Sequence, residues 1–369
     1  MDSKTFEEAP VLVTGACGLV GGGVVAQLVR DGHRVVATDL STRSTRRVAR
    51  RYGRELGVAF RFADLTEEAD VTRLLDAVCP KAIVHLAAVI PPFTWARPAL
   101  ARRVNVGATA LLVRAAESLT VPPRFIQASS IAIYGARNPH RTDAPVSAST
   151  PPNPIDSYGA HKVAAEAIVS GSSLEWVVLR LGGVMTHYPR WTMDPQLVRL
   201  EAVMPADGRI HTVDVRDVAH AFSAAVTTPA TREVFLIAGD ASHRILQSTL
   251  GAALIEAMGM PGGLPVGRDG DPDSDTGWYP TDWMDTERSQ AVLAFQHHSL
   301  PEMLATSRAT VGWRGHALRP FVPVVRAVLA RRSPYRACAG EYADIWPTVR
   351  ECWGDPARED VSALTVLAA

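Results

Sequence analysis

Thr14-Gly15-Ala16-Cys17-Gly18-Leu19-Val20-Gly21 stands between an apolar run at residues 9–13 and a stretch of helical period at residues 19–30, with Gly32 just beyond. The apolar run has the length of a buried strand, and strand, glycine turn and helix follow in the order of a βα unit. Glycines at 15, 18 and 21 let the backbone turn through φ > 0. They also let a phosphate approach the helix N-terminus, where unpaired N–H groups and the helix dipole favour negative charge. The spacing is Gly-x-x-Gly-x-x-Gly, one residue longer at its start than the Gly-x-Gly-x-x-Gly dinucleotide fingerprint. Taken alone, the octapeptide fits either a nucleotide-binding loop or an ordinary tight βα turn.

Residues 34–38 read as a second strand ending in Asp39, about 20 residues beyond the glycines, where a carboxylate accepts hydrogen bonds from an adenosine ribose. That placement favours NAD. Arg43, with Arg46, Arg47, Arg50 and Arg51 behind it, leaves NADP open, because arginine at this strand end can receive a 2′-phosphate. A solvated helix face accounts for most of these arginines. Cys17, inside the turn, reads as a small filler. Further on, strands at 58–62, 82–86 and 124–128 alternate with helices at 67–78 and 97–118. Such alternation predicts right-handed βαβ crossovers and a doubly wound parallel sheet of Rossmann type in the α/β class, here with a smaller, mostly helical C-terminal domain for substrate.

Composition excludes more than it identifies. The 369 residues carry 38 Lys and Arg against 38 Asp and Glu, a formal net charge of +0, so there is no electrostatic case for nucleic acid or an anionic membrane. No apolar run reaches the length of a membrane span, and the start Met1-Asp2-Ser3-Lys4 lacks the apolar core of a signal peptide. A soluble, cytoplasmic protein is expected. The four cysteines, Cys17, Cys79, Cys338 and Cys352, show no ligand spacing, so neither a metal site nor a disulfide framework is expected.

Tyr158-Gly159-Ala160-His161-Lys162 lies in a predicted helix that starts near Asp156. Four residues apart, Tyr158 and Lys162 project from one face. A free phenol has a pKa near 10, and turning it into a base near neutrality takes about 4 kcal/mol of preference for phenolate, which a neighbouring ammonium and a coenzyme cation can supply. General acid–base work of this kind contributes about 10²- to 10⁴-fold. His161 reads as a helix surface residue.

Along residues 9–240 these features join an ordered set: Asp64, His85-Leu86-Ala87-Ala88, Asn105-Val106-Gly107-Ala108-Thr109, Ser129-Ser130-Ile131-Ala132-Ile133-Tyr134-Gly135, Arg180-Leu181-Gly182-Gly183-Val184 and Val213-Asp214-Val215-Arg216-Asp217-Val218-Ala219. The set resembles the extended short-chain dehydrogenase/reductases, which include sugar-nucleotide epimerases, dihydroflavonol-type reductases and 3β-hydroxysteroid dehydrogenases. The resemblance implies that Tyr158 exchanges a proton with the substrate oxygen, Ser130 hydrogen-bonds that oxygen, and Lys162 also holds the nicotinamide ribose. Asn105 would interrupt its helix and so place a water linking Lys162 to solvent.

Coenzyme contacts are expected from Gly15, Cys17, Gly18, Leu19, Val20 and Gly21; from Asp39, Leu40 and Arg43; and from Asp64 and Leu65. Further ones are expected from Leu86, Ala87 and Ala88; from Asn105 and Ser129; from Tyr158 and Lys162; and from Leu181, Gly182 and Val184. Substrate contacts are expected from Ser130, Ile131, Tyr158, Gly183, Arg190 and Trp191.

Family members that eliminate water carry an Asp-Glu pair directly after the serine, and decarboxylating ones a Glu. Ile131 and Ala132 stand here instead, so lyase chemistry is not expected. Arg209 is one residue out of register with the arginine that binds diphosphate in sugar-nucleotide enzymes. The reading therefore puts first an NAD-dependent alcohol dehydrogenase or ketoreductase acting on a medium-sized, non-nucleotide small molecule. A sugar-nucleotide epimerase is the alternative, and a non-catalytic dinucleotide-binding regulator comes third.

Residues 1–184, completed by 209–240, are expected to bind the coenzyme, with a strand at 209–213, a helix at 216–226 and a strand at 233–237. Residues 185–208 and 241–314 would bind substrate. Within them, Arg190, Trp191, Trp278, Tyr279 and Trp283 suggest an aromatic pocket, although a core or lid role explains the tryptophans equally well. The Gly-, Pro- and Asp-rich stretch 262–281 reads as an ordered loop or a lid. Residues 315–369 form an extension expected to cover the cleft or to make an oligomer contact, and a homodimer is expected.

Overall fold

A computed structural model describes residues 9–188, 195–262, 267–332, 340–357 and 359–366. The first half alternates as β1 (Val11–Thr14), α1 (Leu19–Arg30), β2 (Val35–Asp39), α2 (Arg43–Leu56), β3 (Ala59–Phe62), α3 (Glu68–Val78) and β4 (Ala82–His85). Two short helices, α4 (Phe93–Ala96) and α5 (Pro98–Arg102), then lead into α6 (Ala108–Glu117) and β5 (Arg124–Ser130). Next come α7 (Ser157–Ser170), β6 (Trp176–Leu181), β7 (Gly183–Met185), α8 (Pro195–Val203), β8 (Arg209–Asp214), α9 (Val215–Thr227) and β9 (Glu233–Ile237).

Seven of these strands form one parallel sheet in the order β3-β2-β1-β4-β5-β6-β9. The strand order reverses between β1 and β4, and in an open α/β sheet that reversal opens a crevice at the carboxyl ends of the two strands. Side-chain alternation explains the two covered faces. Val11 and Val13 point into a core with Val24, Val25 and Leu28 of α1 and Phe222 of α9. Leu12 points the other way, to Leu74, Leu75 and Leu112 of α3 and α6.

One expectation is corrected here. The strand at 209–213 does not join the main sheet. β8 pairs in parallel with β7 and antiparallel with β10 (Arg244–Leu246), forming a separate three-stranded sheet. The chain turns out of the main sheet at Gly182, where a Cβ would lie 2.5 Å from the His211 carbonyl oxygen. The helix expected over 97–118 carries the interruption expected at Asn105, a π turn at Arg103–Gly107.

Beyond β10 the described chain carries the helices α10 (Gln247–Ala257), α11 (Glu287–Leu293), α12 (Leu300–Val311), α13 (Trp313–Leu318), α14 (Val322–Arg332), α15 (Ile345–Trp353) and α16 (Val361–Val366). The described part of the 262–281 stretch is an ordered loop. Asn138 donates to the Pro272 and Ser274 carbonyls at 2.7 and 3.1 Å, Arg141 pairs with Asp275 at 3.0 Å, and Trp278 is buried beneath it. Ile345, Val349 and Trp353 of α15 pack with Leu200 and Val203 of α8 and with Trp95. Among the described residues no helix is long and apolar enough to cross a membrane, and no group of three or more His, Cys, Asp or Glu could hold a metal ion.

Candidate active site

The glycine turn is built so closely that side chains do not fit. Gly15 has φ +63°, and a Cβ there would stand 2.7 Å from the Ala87 amide nitrogen; at Gly21 a Cβ would stand 2.2 Å from the Gly15 carbonyl oxygen. The turn therefore lies directly against the loop that follows β4. Gly18, exposed, caps α1 with no side-chain hydrogen bond and no acid in the first turn, which leaves the helix N-terminus open to an anion.

Asp39 faces this turn, accepting from the amides of Cys17 at 3.0 Å and Leu40 at 2.8 Å. Burial, and then the nearby Asp39 charge, push the Cys17 thiol up to about 12, so it stays a neutral filler. Tyr52 of α2 donates to the Ala16 carbonyl at 3.1 Å and braces the turn; nothing local in the sequence marks that role. Arg43, Arg46, Arg47 and Arg50 line a cleft of about 460 Å³ on the exposed side of α2. The Asp64 carboxylate, expected near adenine, is taken up locally by the Thr66 amide and hydroxyl at 3.0 and 2.8 Å. Leu65 is buried in the core, Leu19 and Leu40 are exposed, and Val20, Leu86, Ala87, Ala88, Leu181, Gly182, Gly183 and Val184 are partly exposed.

A buried chain of hydrogen bonds crosses the floor of the crevice. Thr109 Oγ1 donates to the Asn105 carbonyl at 3.0 Å, so it accepts from His85 Nε2 at 3.2 Å, and His85 Nδ1 then accepts from Thr14 Oγ1 at 2.7 Å. Burial first, and the Lys162 charge second, hold His85 down to about 3, so the ring is neutral. The interruption at Asn105 is present as the π turn. Its side-chain amide bridges the Val89 backbone: Oδ1 accepts from the Val89 amide at 2.7 Å and Nδ2 donates to the Val89 carbonyl at 2.8 Å.

Tyr158 sits in the first turn of α7. Asp156 caps that helix by accepting from the Gly159 amide at 2.8 Å. Gly159 is required there, because a Cβ would lie 2.6 Å from the Ala132 carbonyl oxygen, and this contact sets α7 against the turn after β5. The largely buried Tyr158 phenol is pushed up to about 12 by burial, and its hydrogen bond with Ser130 draws it back. Lys162 is buried, donates to the Ala128 carbonyl at 2.8 Å and stands 5.8 Å from the centre of the Tyr158 ring. Burial holds its ammonium down to about 8, with Glu166 opposing.

Ser129 and Ser130 point to different partners. Ser129 donates to Glu166 Oε1 at 2.5 Å, in a buried group in which Arg180 also binds Glu166 and the Tyr134 hydroxyl, each at 2.7 Å. Only Ser130 is left beside Tyr158.

Two expectations change, at Ile131 and at His161. Ile131 packs into the core with Ile133, Tyr134 and Met284. Of the two roles left open for the tryptophans, Trp278 takes the core one, buried beside His140 with ring centres 5.7 Å apart. His161 is no surface residue: it is 0% exposed and bonded to Glu359 at 3.0 Å. Arg209 lies over the Trp283 ring at 4.6 Å and donates to the carbonyls of Thr142 and Pro139 at 2.7 and 3.2 Å. Arg190 and Trp191 lie outside the described residues.

The family model for the NAD dependent epimerase/dehydratase family matches residues 11–238. The chain belongs to the NAD-dependent epimerase/dehydratase family. Its coenzyme is therefore NAD, as the position of Asp39 led us to expect. It is similar to UDP-glucose 4-epimerase of Mycolicibacterium smegmatis, with 35% identity over 169 residues, 43% of this chain and 50% of that one. D-erythronate dehydrogenase of Cupriavidus necator is 30% identical over 169 residues, 44% of this chain and 50% of that one. The chain thus spans about half the length of these curated relatives. Among solved structures, UDP-glucose 4-epimerase of Thermotoga maritima with UDP-glucose has the same fold, at a TM-score of 0.66 and 23% identity, covering 84% of this chain and 99% of that one.

Proposed function

We propose that this epimerase/dehydratase-family chain inverts a secondary alcohol centre of a nucleotide-linked sugar, withdrawing a hydride from one carbon and returning it to the opposite face. The observation that carries this reading is the meeting of Tyr158 and Lys162 of α7 with Ser130 at the carboxyl end of β5. UDP-glucose 4-epimerases among the relatives weigh towards this alternative over the simple dehydrogenase or ketoreductase that the sequence placed first.

The cradle fits NAD. Gly15, Gly18, Gly21 and the amides of residues 17–20 would hold the pyrophosphate, Asp39 would exchange its bonds with Cys17 and Leu40 for the adenosine ribose, and Lys162 would hold the nicotinamide ribose. When bound, NAD supplies the hydride acceptor and its cationic ring. The chain's own part is proton transfer. Tyr158 Oη takes the proton from the substrate hydroxyl and later returns it, while Ser130 Oγ holds the same oxygen in line. The Lys162 ammonium stabilises the phenolate against the burial that otherwise keeps the phenol protonated. No carboxylic acid follows Ser130 to drive elimination, since Ile131 is buried and Ala132 is apolar. In this reading residues 1–184 with 209–240 bind the coenzyme, and 185–208 with 241–314 bind substrate. Cytoplasmic placement and a homodimer belong to the same reading and are checked by cell fractionation and light scattering.

Arg209 favours a second reading, net oxidation of a non-nucleotide hydroxy compound. Its guanidinium is occupied by loop carbonyls and lies 3.6 Å from Asp143, so it is not free to clamp a diphosphate. Incubation with NAD and either UDP-hexoses or sugar acids separates the two. Interconverted sugar with no net reduced nicotinamide supports the epimerase, accumulating reduced nicotinamide supports the dehydrogenase, and no turnover with either class contradicts both.

A further inference from the structure

The helix that carries Tyr158 and Lys162 is braced along a second face by the end of its own chain. Ser157 opens α7, so its amide has no acceptor within the helix. It donates to the Pro356 carbonyl at 3.0 Å, where Asp156 and Ala357 pair as an antiparallel bridge. One turn later His161 meets Glu359 Oε1 at 3.0 Å. A carboxylate can only accept, so His161 Nε2 carries the proton, and Nδ1 stays buried without a partner. Glu359 Oε2 also lies 3.8 Å from Arg102 Nε, at the end of α5, where the chain enters the π turn that contains Asn105. Finally α16 lays Leu364 on Ala160, Ala164 and Val106. Residues 157, 160, 161 and 164 follow the i, i+3, i+4, i+7 pattern of one helical face, and Tyr158, Lys162 and Glu166 follow the pattern of another.

We propose that Glu359 is a positioning residue of the active site: by bridging His161 and Arg102 it fixes the rotation of α7, and with it the places of Tyr158 Oη and Lys162 Nζ. The proposal rests on the reading of Tyr158 as the proton-transferring group. Proton transfer demands placement within about 0.5 Å, and a shift of about 1 Å can cost about 100-fold in rate. Without Glu359, both ring nitrogens of the buried His161 would lack a partner. The C-terminal extension therefore acts on the chemistry from behind the catalytic helix, within the same chain.

The test uses the full chain with Glu359→Ala, Glu359→Gln and, as a control, Tyr158→Phe. Three quantities are measured: kcat and KM, the affinity for reduced NAD by nicotinamide fluorescence, and amide exchange over residues 157–164. Glu359→Ala should lower kcat by about 10-fold or more, leave KM and coenzyme affinity within about twofold, and speed exchange in the first turns of α7. Glu359→Gln should recover kcat to within about threefold, because its amide oxygen still accepts from His161. If Glu359→Ala does not fold, Glu359→Asp, which shortens the reach, takes its place with the same expectations. Unchanged kcat and unchanged exchange in the Ala or Asp variant would overturn the proposal, as would equal loss in the Gln variant. Full activity in Tyr158→Phe would instead sink the underlying reading, and the exchange measurement would still judge the brace.

Discussion

Trp95 donates its indole N–H to Asp156 Oδ2 at 2.9 Å, so the carboxylate that caps the catalytic helix is itself held by a buried aromatic ring. The ring is enclosed by Trp346 and Trp353, with centres 6.3 and 6.2 Å away. Burial pushes Asp156 up to about 6 against its ordinary 3.8, although hydrogen bonds from Gly159 and Trp95 pull it down.

The sign of the resulting pH dependence is fixed. Between 3.8 and about 6 the folded chain holds a proton that the unfolded chain has lost, so this group's contribution to stability falls as pH rises through that window. Thermal unfolding of wild type and Asp156→Asn checks it. Relative to the variant, wild type should gain stability on going from about pH 8 to about pH 4.5. A constant difference, or one of opposite trend, contradicts the assignment.

Gly18 and Gly21 should separate coenzyme binding from folding. A Cβ at Gly21 would meet the Gly15 carbonyl oxygen at 2.2 Å, so Gly21→Ala should destabilise by about 1–3 kcal/mol and weaken NAD together with stability. At Gly18 the nearest atom to a Cβ is 3.2 Å away and the backbone is extended, so the fold should tolerate alanine with little change in Tm. The methyl group would stand at the open helix terminus, and NAD affinity should fall about 10-fold or more. Calorimetry and NAD titration of both variants check the contrast.

Arg180 and Glu166 form a two-pronged buried pair, Nη2 to Oε2 at 2.7 Å and Nε to Oε1 at 3.0 Å. Glu166→Ala leaves the guanidinium buried and uncompensated, which should cost about 3–5 kcal/mol in urea unfolding. It also removes the charge that opposes the depression of Lys162, so the alkaline fall in activity should move below about 8. Stability and the pH–rate profile of this variant are predicted to change together.

The legible parts of the molecule were those coded locally. The continuous apolar run at Val11–Thr14, the glycines behind it and the four-residue spacing of Tyr158 and Lys162 each carry their meaning within one or two turns of chain. The separate pairing of β8 was not legible, because Arg209–Asp214 reads as a strand whichever neighbour it takes. Nor was the burial of His161. On its own helix it has the neighbours of a surface residue, and the carboxylate that covers it lies 198 positions away. Tyr52 and Glu166 escaped for the same reason, since each acts through a partner on another element.

The most direct test of the central claim is Tyr158→Phe, assayed for turnover and for NAD affinity on the same preparation. Loss of the phenol hydroxyl should lower kcat by at least about 100-fold while NAD binds within about twofold of wild type. A variant that turns over at a rate comparable to wild type would show that the proton does not pass through Tyr158, and the account would fail.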